Sequence, residues 1–260
     1  MTQQQPFGRH AFTADASSEV VAESTEVARC ANCQAALQGP FCHACGQSAA
    51  VRNDVGDLLR DLWSRLVDVN LGSLIGLARL VCSPGRMTAD WMAGRRIGAL
   101  SPWHALLLAL PIYYLAPQIL NFENDPGGVA ERIASNADRW RAYGAVVVAT
   151  VGPAHFLGLN LVRRRGLEHR PYAHLVFTIY QFAFVLLLTP VAGLLMTRGD
   201  PVDAIFLSAL ALFVHSTCHL RGAYGLSWFG ATWRTVVLLF IDFWAFGLIG
   251  NAAVSILNLV

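Results

Sequence analysis

The sequence predicts an all-α polytopic membrane protein of about five transmembrane helices, preceded by a small N-terminal zinc ribbon. The 260 residues are 55% hydrophobic and only 14% charged, and the mean hydropathy is +0.45, whereas an ordinary soluble domain is about 25% charged. In addition, four cysteines near the N-terminus form two Cys-x-x-Cys pairs. These two observations separate the chain into a short metal-binding segment and a long apolar segment.

Residues 1–29 are predicted to form a disordered cytosolic tail. They are rich in Gln, Ser, Thr, Ala and Glu, and they lack the basic start and the apolar run of a secretory signal peptide. We therefore expect the N-terminus to stay in the cytosol, where a reducing environment keeps thiols available to metal.

Residues 30–47 are predicted to form the zinc ribbon. Its four ligands would be Cys30, Cys33, Cys42 and Cys45. Two Cys-x-x-Cys pairs allow four thiolates to converge at about 2.3 Å on one tetrahedral ion, and a segment too short for its own core can fold around that ion. The predicted cofactor is therefore structural zinc, and two disulfides in an exported domain are the alternative.

The residues that follow each pair affect how well the ribbon can turn. Gly46 follows Cys45 and suits the left-handed backbone of a zinc knuckle, whereas Gln34 follows Cys33 and must either adopt that conformation or distort it. His43 could replace a cysteine as ligand, but four thiolates already satisfy zinc, so we interpret it as facing solvent.

Residues 53–98 are predicted to form juxtamembrane amphipathic and interfacial helices. Between residues 55 and 69 the apolar side chains recur at spacings of three and four, which is typical of an amphipathic helix. The next apolar run, residues 71–82, is too short for a bilayer that needs about 20 residues, so it is expected to be interfacial or re-entrant. Pro84 can begin a further helix, and Gly94 can end it.

The order of these motifs resembles an uncharacterised bacterial membrane-protein family that carries a domain of unknown function. The resemblance covers roughly residues 30–110. It rests on the ribbon ending Cys45-Gly46-Gln47, the amphipathic helix, the Pro-Gly step at 84–85, the aromatic-x-x-Gly-x-Arg box of Trp91, Gly94 and Arg96, and Pro102 before the first span. Members usually have arginine where this chain has Ser83, and tyrosine where it has Trp91. The resemblance implies a bacterial membrane protein with a cytosolic ribbon, and it implies no reaction.

Residues 99–260 are predicted to form the five-helix transmembrane domain. The spans are expected at about 99–120, 142–162, 172–196, 202–220 and 235–257. Arginines are concentrated before the first span, between the second and third, and around the loop after the fourth. The positive-inside rule then places the N-terminus in the cytosol of a bacterial inner membrane and the C-terminus on the opposite side.

Polar residues within the spans form the candidate intramembrane site. At about 1.5 Å per residue, four of them lie about 8–12 Å from the cytosolic ends of their helices, and Asp242 is expected to pair with His215. They could fix helix packing, bind a metal or relay protons; haem attachment is disfavoured because the order Cys-x-x-Cys-His is missing. The candidate residues are His104, His155, His215, Cys218, His219 and Asp242.

The sequence excludes several classes of function. It contains no Gly-x-Ser-x-Gly, no His-Glu-x-x-His and no phosphate-binding glycine loop. The net charge of +2 is too small for a nucleic-acid surface. The expected function is therefore non-enzymatic: the ribbon docks a cytosolic protein partner or braces the membrane body, and the expected environment is the lipid bilayer. The alternative is a transporter or metal-handling protein that uses the histidine and aspartate residues.

Overall fold

The computed structural model describes residues 28–64, 71–119, 155, 171–198 and 200–257. These residues form seven helices and no extended strand. The helices are α1 (Val55–Ser64), α2 (Leu71–Cys82), α3 (Pro84–Met92), α4 (Pro102–Ile119), α5 (Pro171–Arg198), α6 (Pro201–Tyr224) and α7 (Trp228–Leu257). The predicted all-α class is confirmed for this part of the chain.

Within the described residues, two helices are long and apolar enough to cross a membrane. They are Pro171–Met196 in α5 and Val202–Tyr224 in α6. Helix α7 covers the predicted span 235–257, with side chains described only to residue 245, and α4 is described over 18 residues, to the edge of the described range. The span predicted at 142–162 lies outside the described residues except for His155. The count of five spans therefore stays a prediction.

Residues at the helix ends explain where α3 and α6 begin and end. Helix α3 has Pro84 in its first turn, as predicted, and the chain leaves it through Gly94 with a φ of 80°. In α6 the Asp200 carboxylate accepts a hydrogen bond from the Val202 N–H at 2.7 Å, and Gly225 ends the helix with a φ of 61°. Because Gly225 supplies this left-handed residue, α6 extends beyond the predicted end at residue 220.

Helix α1 buries only part of its apolar face. Leu58 is buried, whereas Val55 and Leu59 are largely exposed. The helix is described as far as Ser64, and residues 65–70 of the predicted amphipathic segment lie outside the described part of the chain. The expected helix is thus present over residues 55–64, and of its described apolar residues only Leu58 is buried.

The main core lies between α4, α5 and the short helices before them. Trp91, Tyr180 and Leu80 are fully buried there, and the Tyr180 hydroxyl donates to the Leu100 carbonyl at 2.6 Å. A second cluster joins α5, α6 and α7 around Phe177 and Leu220. Helix α3 contacts both α5 and α6, so it links the two clusters.

Helices α3 and α6 cross at two glycines. A Cβ atom added to Gly85 would lie 2.5 Å from the Gly222 Cα and 2.8 Å from the Cys218 carbonyl oxygen. A Cβ at Gly222 would lie 2.8 Å from the Gly85 Cα. Because the two backbones touch, only glycine fits at either position. The Pro-Gly step at the start of α3 therefore allows this helix to pack directly on α6.

Candidate metal centre and its attachment to the helical body

The two cysteine pairs each form a tight turn closed by backbone hydrogen bonds. The Gln34 N–H donates to the Cys30 carbonyl at 2.9 Å, and the Gly46 N–H donates to the Cys42 carbonyl at 2.8 Å. Gln34 has a φ of 65° and Gly46 a φ of 74°. Gln34 therefore adopts the left-handed conformation, and the two turns have the same backbone form despite their different residues.

The four sulfur atoms converge on one point. The Cys30 and Cys45 sulfurs are 3.6 Å apart, the Cys33 and Cys42 sulfurs are 3.5 Å apart, and all four lie within 4.8 Å of one another. A tetrahedral ion with bonds of about 2.3 Å to sulfur needs sulfur–sulfur separations of about 3.8 Å. The observed arrangement is close to that size, so these cysteines could hold one metal ion.

The acidity of the thiols also favours a cation at this point. N–H groups of Cys45 and Ala44 lower the pKa of Cys42 to about 6, although burial opposes them. The Ala35 N–H lowers the pKa of Cys33, but the thiol of Cys42, burial and the remaining thiols outweigh it and raise that pKa to about 12. Four thiols this close cannot all ionise alone, whereas a bound cation would allow it.

The four cysteines differ in their exposure to solvent. Cys30 and Cys42 are buried, Cys45 is half-buried and Cys33 is exposed. His43 is exposed and does not belong to the sulfur cluster, as its interpretation as a solvent-facing residue predicted. In the described part of the chain, these four cysteines form the only group of three or more ligand atoms close enough to share a metal ion.

Gln47 attaches the ribbon to the end of α3. Its side-chain amide donates to the Gly94 carbonyl at 2.8 Å, and its amide oxygen accepts from the Arg96 backbone N–H at 3.0 Å. Gln47 is buried, and a Cβ at Gly94 would approach Val51 and Ala31 within 3.3–3.4 Å. The Cys-Gly-Gln end of the ribbon and the Gly-x-Arg box after α3 therefore form one contact.

Arg96 connects this contact to α1. Its guanidinium forms a 2.6 Å ion pair with Asp57 and donates to the Arg52 carbonyl at 2.7 Å and to the Asn53 side chain at 3.2 Å. Both members of the ion pair are mostly buried, and the Asn53 amide in turn donates to the Met92 carbonyl. Arg96 thus holds together the segment after the ribbon, α1 and the end of α3.

Trp91 connects Arg96 to α5. The Arg96 guanidinium lies 4.9 Å from the centre of the Trp91 ring, and the Trp91 indole N–H donates to the Tyr172 hydroxyl at 2.9 Å. Trp91 is fully buried. Sequence analysis singled out Trp91 and Arg96 only as parts of a motif and did not identify Gln47, Asp57 and Tyr172 as their partners.

In the candidate intramembrane site, His219 lies at the centre of a hydrogen-bonded chain. The Thr88 hydroxyl is 2.7 Å from its Nε2, and its Nδ1 is 3.0 Å from the Gln181 amide oxygen. Because that oxygen only accepts, Nδ1 donates and Nε2 accepts from Thr88, as in a neutral imidazole. The Gln181 amide group then donates to Ser216 at 2.8 Å. Both nitrogens of His219 are therefore already used.

His215 is arranged differently. Its Nε2 donates to the Leu80 carbonyl of α2 at 3.0 Å. Its ring stacks on the Phe184 ring, with 3.4 Å between the two ring centres. The remaining Nδ1 is buried and has no hydrogen-bond partner among the described residues. The α2 segment, expected to be interfacial or re-entrant, thus contacts the polar interior of the bundle.

Asp242 pairs with His155, so the expected pairing with His215 is wrong. The Asp242 carboxylate lies 2.7 Å from the His155 Nδ1. The other carboxylate oxygen of Asp242 and the Nε2 of His155 are buried without a partner in the described part of the chain. Similar depth placed both histidines within range, but helix rotation decides which one faces the carboxylate.

The remaining candidates occupy separate surroundings. His104 is buried in the first turn of α4, where its backbone N–H donates to Ser101. Cys218 is exposed, unlike its neighbours His215 and His219. His174, which sequence analysis did not select, contacts the Tyr224 hydroxyl at 2.9 Å. Thr88 was also missed, although it shares the buried face of α3 with Trp91.

No protein-family model, curated protein or solved structure matches this chain.

Proposed function

We propose that this chain is an integral membrane protein whose cytosolic ribbon binds zinc and braces the membrane body. The observation that carries the proposal is the double hydrogen bond of Gln47 to the Gly94–Arg96 segment, because it fixes a metal-dependent fold to a helix that packs on α5 and α6. In this reading, zinc orders the ribbon, and the ordered ribbon holds α1, α3 and the start of α5 together.

Exposed apolar side chains support the placement in a membrane. On α6 and α7, Val202, Phe206, Phe240 and Phe243 are each more than 60% exposed. A water-soluble surface rarely carries so large an apolar area, whereas acyl chains accept it. Near the α6–α7 turn, the guanidiniums of Arg221 and Arg234 each lie 4.5 Å from a tryptophan ring, a combination that suits the cytosolic headgroup region.

The orientation follows from the same arginines and from the ribbon. We propose a bacterial inner-membrane location with the N-terminus in the cytosol and the C-terminus outside. A reporter active only in the cytosol should work when fused before the ribbon and fail when fused after Val260, and an exported reporter should behave in the opposite way. Both ends reporting on one side would contradict the five-span arrangement.

Metal analysis tests the ribbon directly. Purified protein should contain about one zinc per chain, and replacement of all four ribbon cysteines by serine should remove it. Wild-type protein isolated metal-free under reducing conditions would overturn the proposal. Docking of a cytosolic partner is compatible with the same role, since Phe41 on the ribbon surface is 64% exposed.

The second candidate function is intramembrane metal handling or proton transport. The His155–Asp242 pair favours it, because a histidine that binds a carboxylate through one nitrogen and keeps the other unpaired is the arrangement of many metal ligands. Metal retained by the chain that lacks the four ribbon cysteines, and lost on His155→Gln, would favour this function. Metal that depends on the ribbon alone would favour the brace.

A further inference from the structure

Helix α3 connects the ribbon to the buried histidines through a series of direct contacts. The segment directly after α3 is held by Gln47 through the Gly94 carbonyl, and the last residue of α3 is held by Asn53 through the Met92 carbonyl. Its middle is held by Thr88, whose hydroxyl binds His219 of α6. Its start is held by the backbone contact of Gly85 with Gly222. Trp91 adds a third contact with the bundle through the Tyr172 hydroxyl. The helix and the segment after it are therefore held by the ribbon and Asn53 at one end, and by the bundle along the helix.

This link is short and buried. Gly85, Thr88 and Trp91 lie at spacings of three on one face of α3, and all three are buried. Helix α3 has only nine residues, and so short a helix has little stability of its own in the absence of tertiary contacts. Loss of the contacts at one end should therefore loosen the whole helix rather than a single turn.

The attachment at the ribbon depends on metal. Gln47 lies two residues after Cys45, and its backbone carbonyl accepts from the Cys42 N–H at 2.8 Å, within the second cysteine turn. Without an ion, four crowded thiols have no common partner, so the turn that positions Gln47 loses the interaction that orders it. Release of the ion would then remove the two hydrogen bonds of Gln47 to the segment after α3.

We infer that metal occupancy of the ribbon controls how firmly α3 is seated against α6, and thereby whether Thr88 keeps its hydrogen bond to His219. This inference rests on the proposed function, since it requires the ribbon to bind metal. It adds a regulatory role to the brace: a metal signal at the ribbon changes the interior of the helical bundle through Gln47 and α3. The contacts inside the helical bundle would then depend on the metal that is available to the ribbon.

Hydrogen exchange of the full-length protein in lipid nanodiscs tests the link. The zinc-loaded protein is compared with the same sample after chelation under reducing conditions, and peptides covering 30–47 and 84–92 are followed by mass spectrometry. Chelation should raise exchange in both segments, by about fivefold or more in α3, which is the factor expected when a hydrogen bond of about 1 kcal/mol is lost. Reloading with zinc should reverse the change.

Substitutions of Gln47 test whether the effect of metal on α3 passes through this residue. Gln47→Ala should keep zinc but give α3 the fast exchange of the chelated wild type, and further chelation should then have little effect on α3. Gln47→Glu keeps the side-chain length and loses the donor to Gly94, so it should act in the same direction if the alanine variant folds poorly. Gln38→Ala, at an exposed glutamine of the same ribbon, is the matched control and should behave like wild type.

The outcomes are distinguishable from a failure of the proposed function. Zinc bound in the ribbon, with rapid exchange of 30–47 after chelation and no change in 84–92, would overturn the coupling and leave the brace intact. Wild-type exchange of α3 in zinc-loaded Gln47→Ala would also overturn it. A protein without zinc, in which chelation changes no segment, would instead contradict the proposed function itself.

Discussion

The ribbon and the histidine-containing interior place their polar atoms in opposite ways. In the ribbon, four side chains of one type approach a single point, with sulfurs within 4.8 Å of one another. In the interior, His219 binds Thr88 and Gln181, His215 binds a backbone carbonyl, and His155 binds Asp242. One region concentrates its ligand atoms, and the other distributes them among separate helices.

The difference concerns what each region can do without a ligand. The ribbon is too short for an apolar core of its own, and its convergent thiols could hold one metal ion that orders it. The interior is stabilised by neighbouring helices, and its polar groups find partners that hold those helices in register. Convergence therefore indicates a metal centre, whereas distribution indicates packing, with the unpaired atoms of His155, His215 and Asp242 as the exceptions.

The largest expected effect comes from removing two ribbon ligands. Cys42→Ser together with Cys45→Ser should eliminate bound zinc, because two thiolates cannot complete a tetrahedral structural site whose metal contributes about 10 kcal/mol or more. Zinc per chain is measured by elemental analysis. Cys82→Ser with Cys218→Ser is the matched control, because both cysteines are exposed and lie outside the cluster, and it should keep full zinc. Equal loss of zinc in the two double variants would mean that zinc binding does not depend on the ribbon cysteines in particular.

The ribbon was predictable from sequence because its geometry is local. The spacing of each Cys-x-x-Cys pair fixes where two sulfurs can point, and Gly46 marks the turn. Gln34 was the uncertain residue, and its φ of 65° shows that the turn tolerates a side chain. The end of α2 at Cys82 also follows from sequence, since the Ser-Pro-Gly step comes directly after it.

The interior was only partly predictable, because depth alone does not determine neighbours. Residues on different helices can share a level in the bilayer and still face different directions, since rotation and tilt depend on packing. This is why Asp242 faces His155 and why the exposed Cys218 does not join the buried histidines. Thr88 had no sequence signal as a histidine partner, because its contact depends on the crossing at Gly85 and Gly222.

The next largest effect should come from that crossing. Gly222→Ala places a methyl group 2.8 Å from the backbone of Gly85, so α3 must move away from α6, at a cost of about 3 kcal/mol. Thermal unfolding in detergent should show a lower midpoint while zinc content stays near one per chain. Gly39→Ala, whose added methyl group meets nothing within 4 Å, should leave the midpoint nearly unchanged. A neutral Gly222→Ala would mean that the two helices are not in backbone contact.

A smaller effect is expected at Arg96. Arg96→Lys keeps the charge but cannot reach Asp57, Asn53 and the Arg52 carbonyl together, so the free energy of unfolding should fall by about 2 kcal/mol. Arg95→Lys is the matched control, since the guanidinium of Arg95 is half-exposed and pairs only with Asp90 in the described contacts; it should cost less than about 0.5 kcal/mol. Similar costs for the two lysine variants would show that the Arg96 contacts do not brace the fold.

The smallest effect distinguishes packing from function in the interior. Thr88→Val preserves the shape of the side chain and removes the hydroxyl that binds His219, so it should lower the free energy of unfolding by about 0.5–1 kcal/mol, the range of interhelical hydrogen bonds in membrane bundles. Thr189→Val is the matched control, because its hydroxyl binds only the Val185 carbonyl of its own helix in the described contacts. If both variants keep wild-type zinc and Thr88→Val alone is destabilised, His219 serves packing. Loss of bound metal on Thr88→Val would instead contradict a pure packing role, because a hydroxyl that only holds His219 in place should not affect metal content.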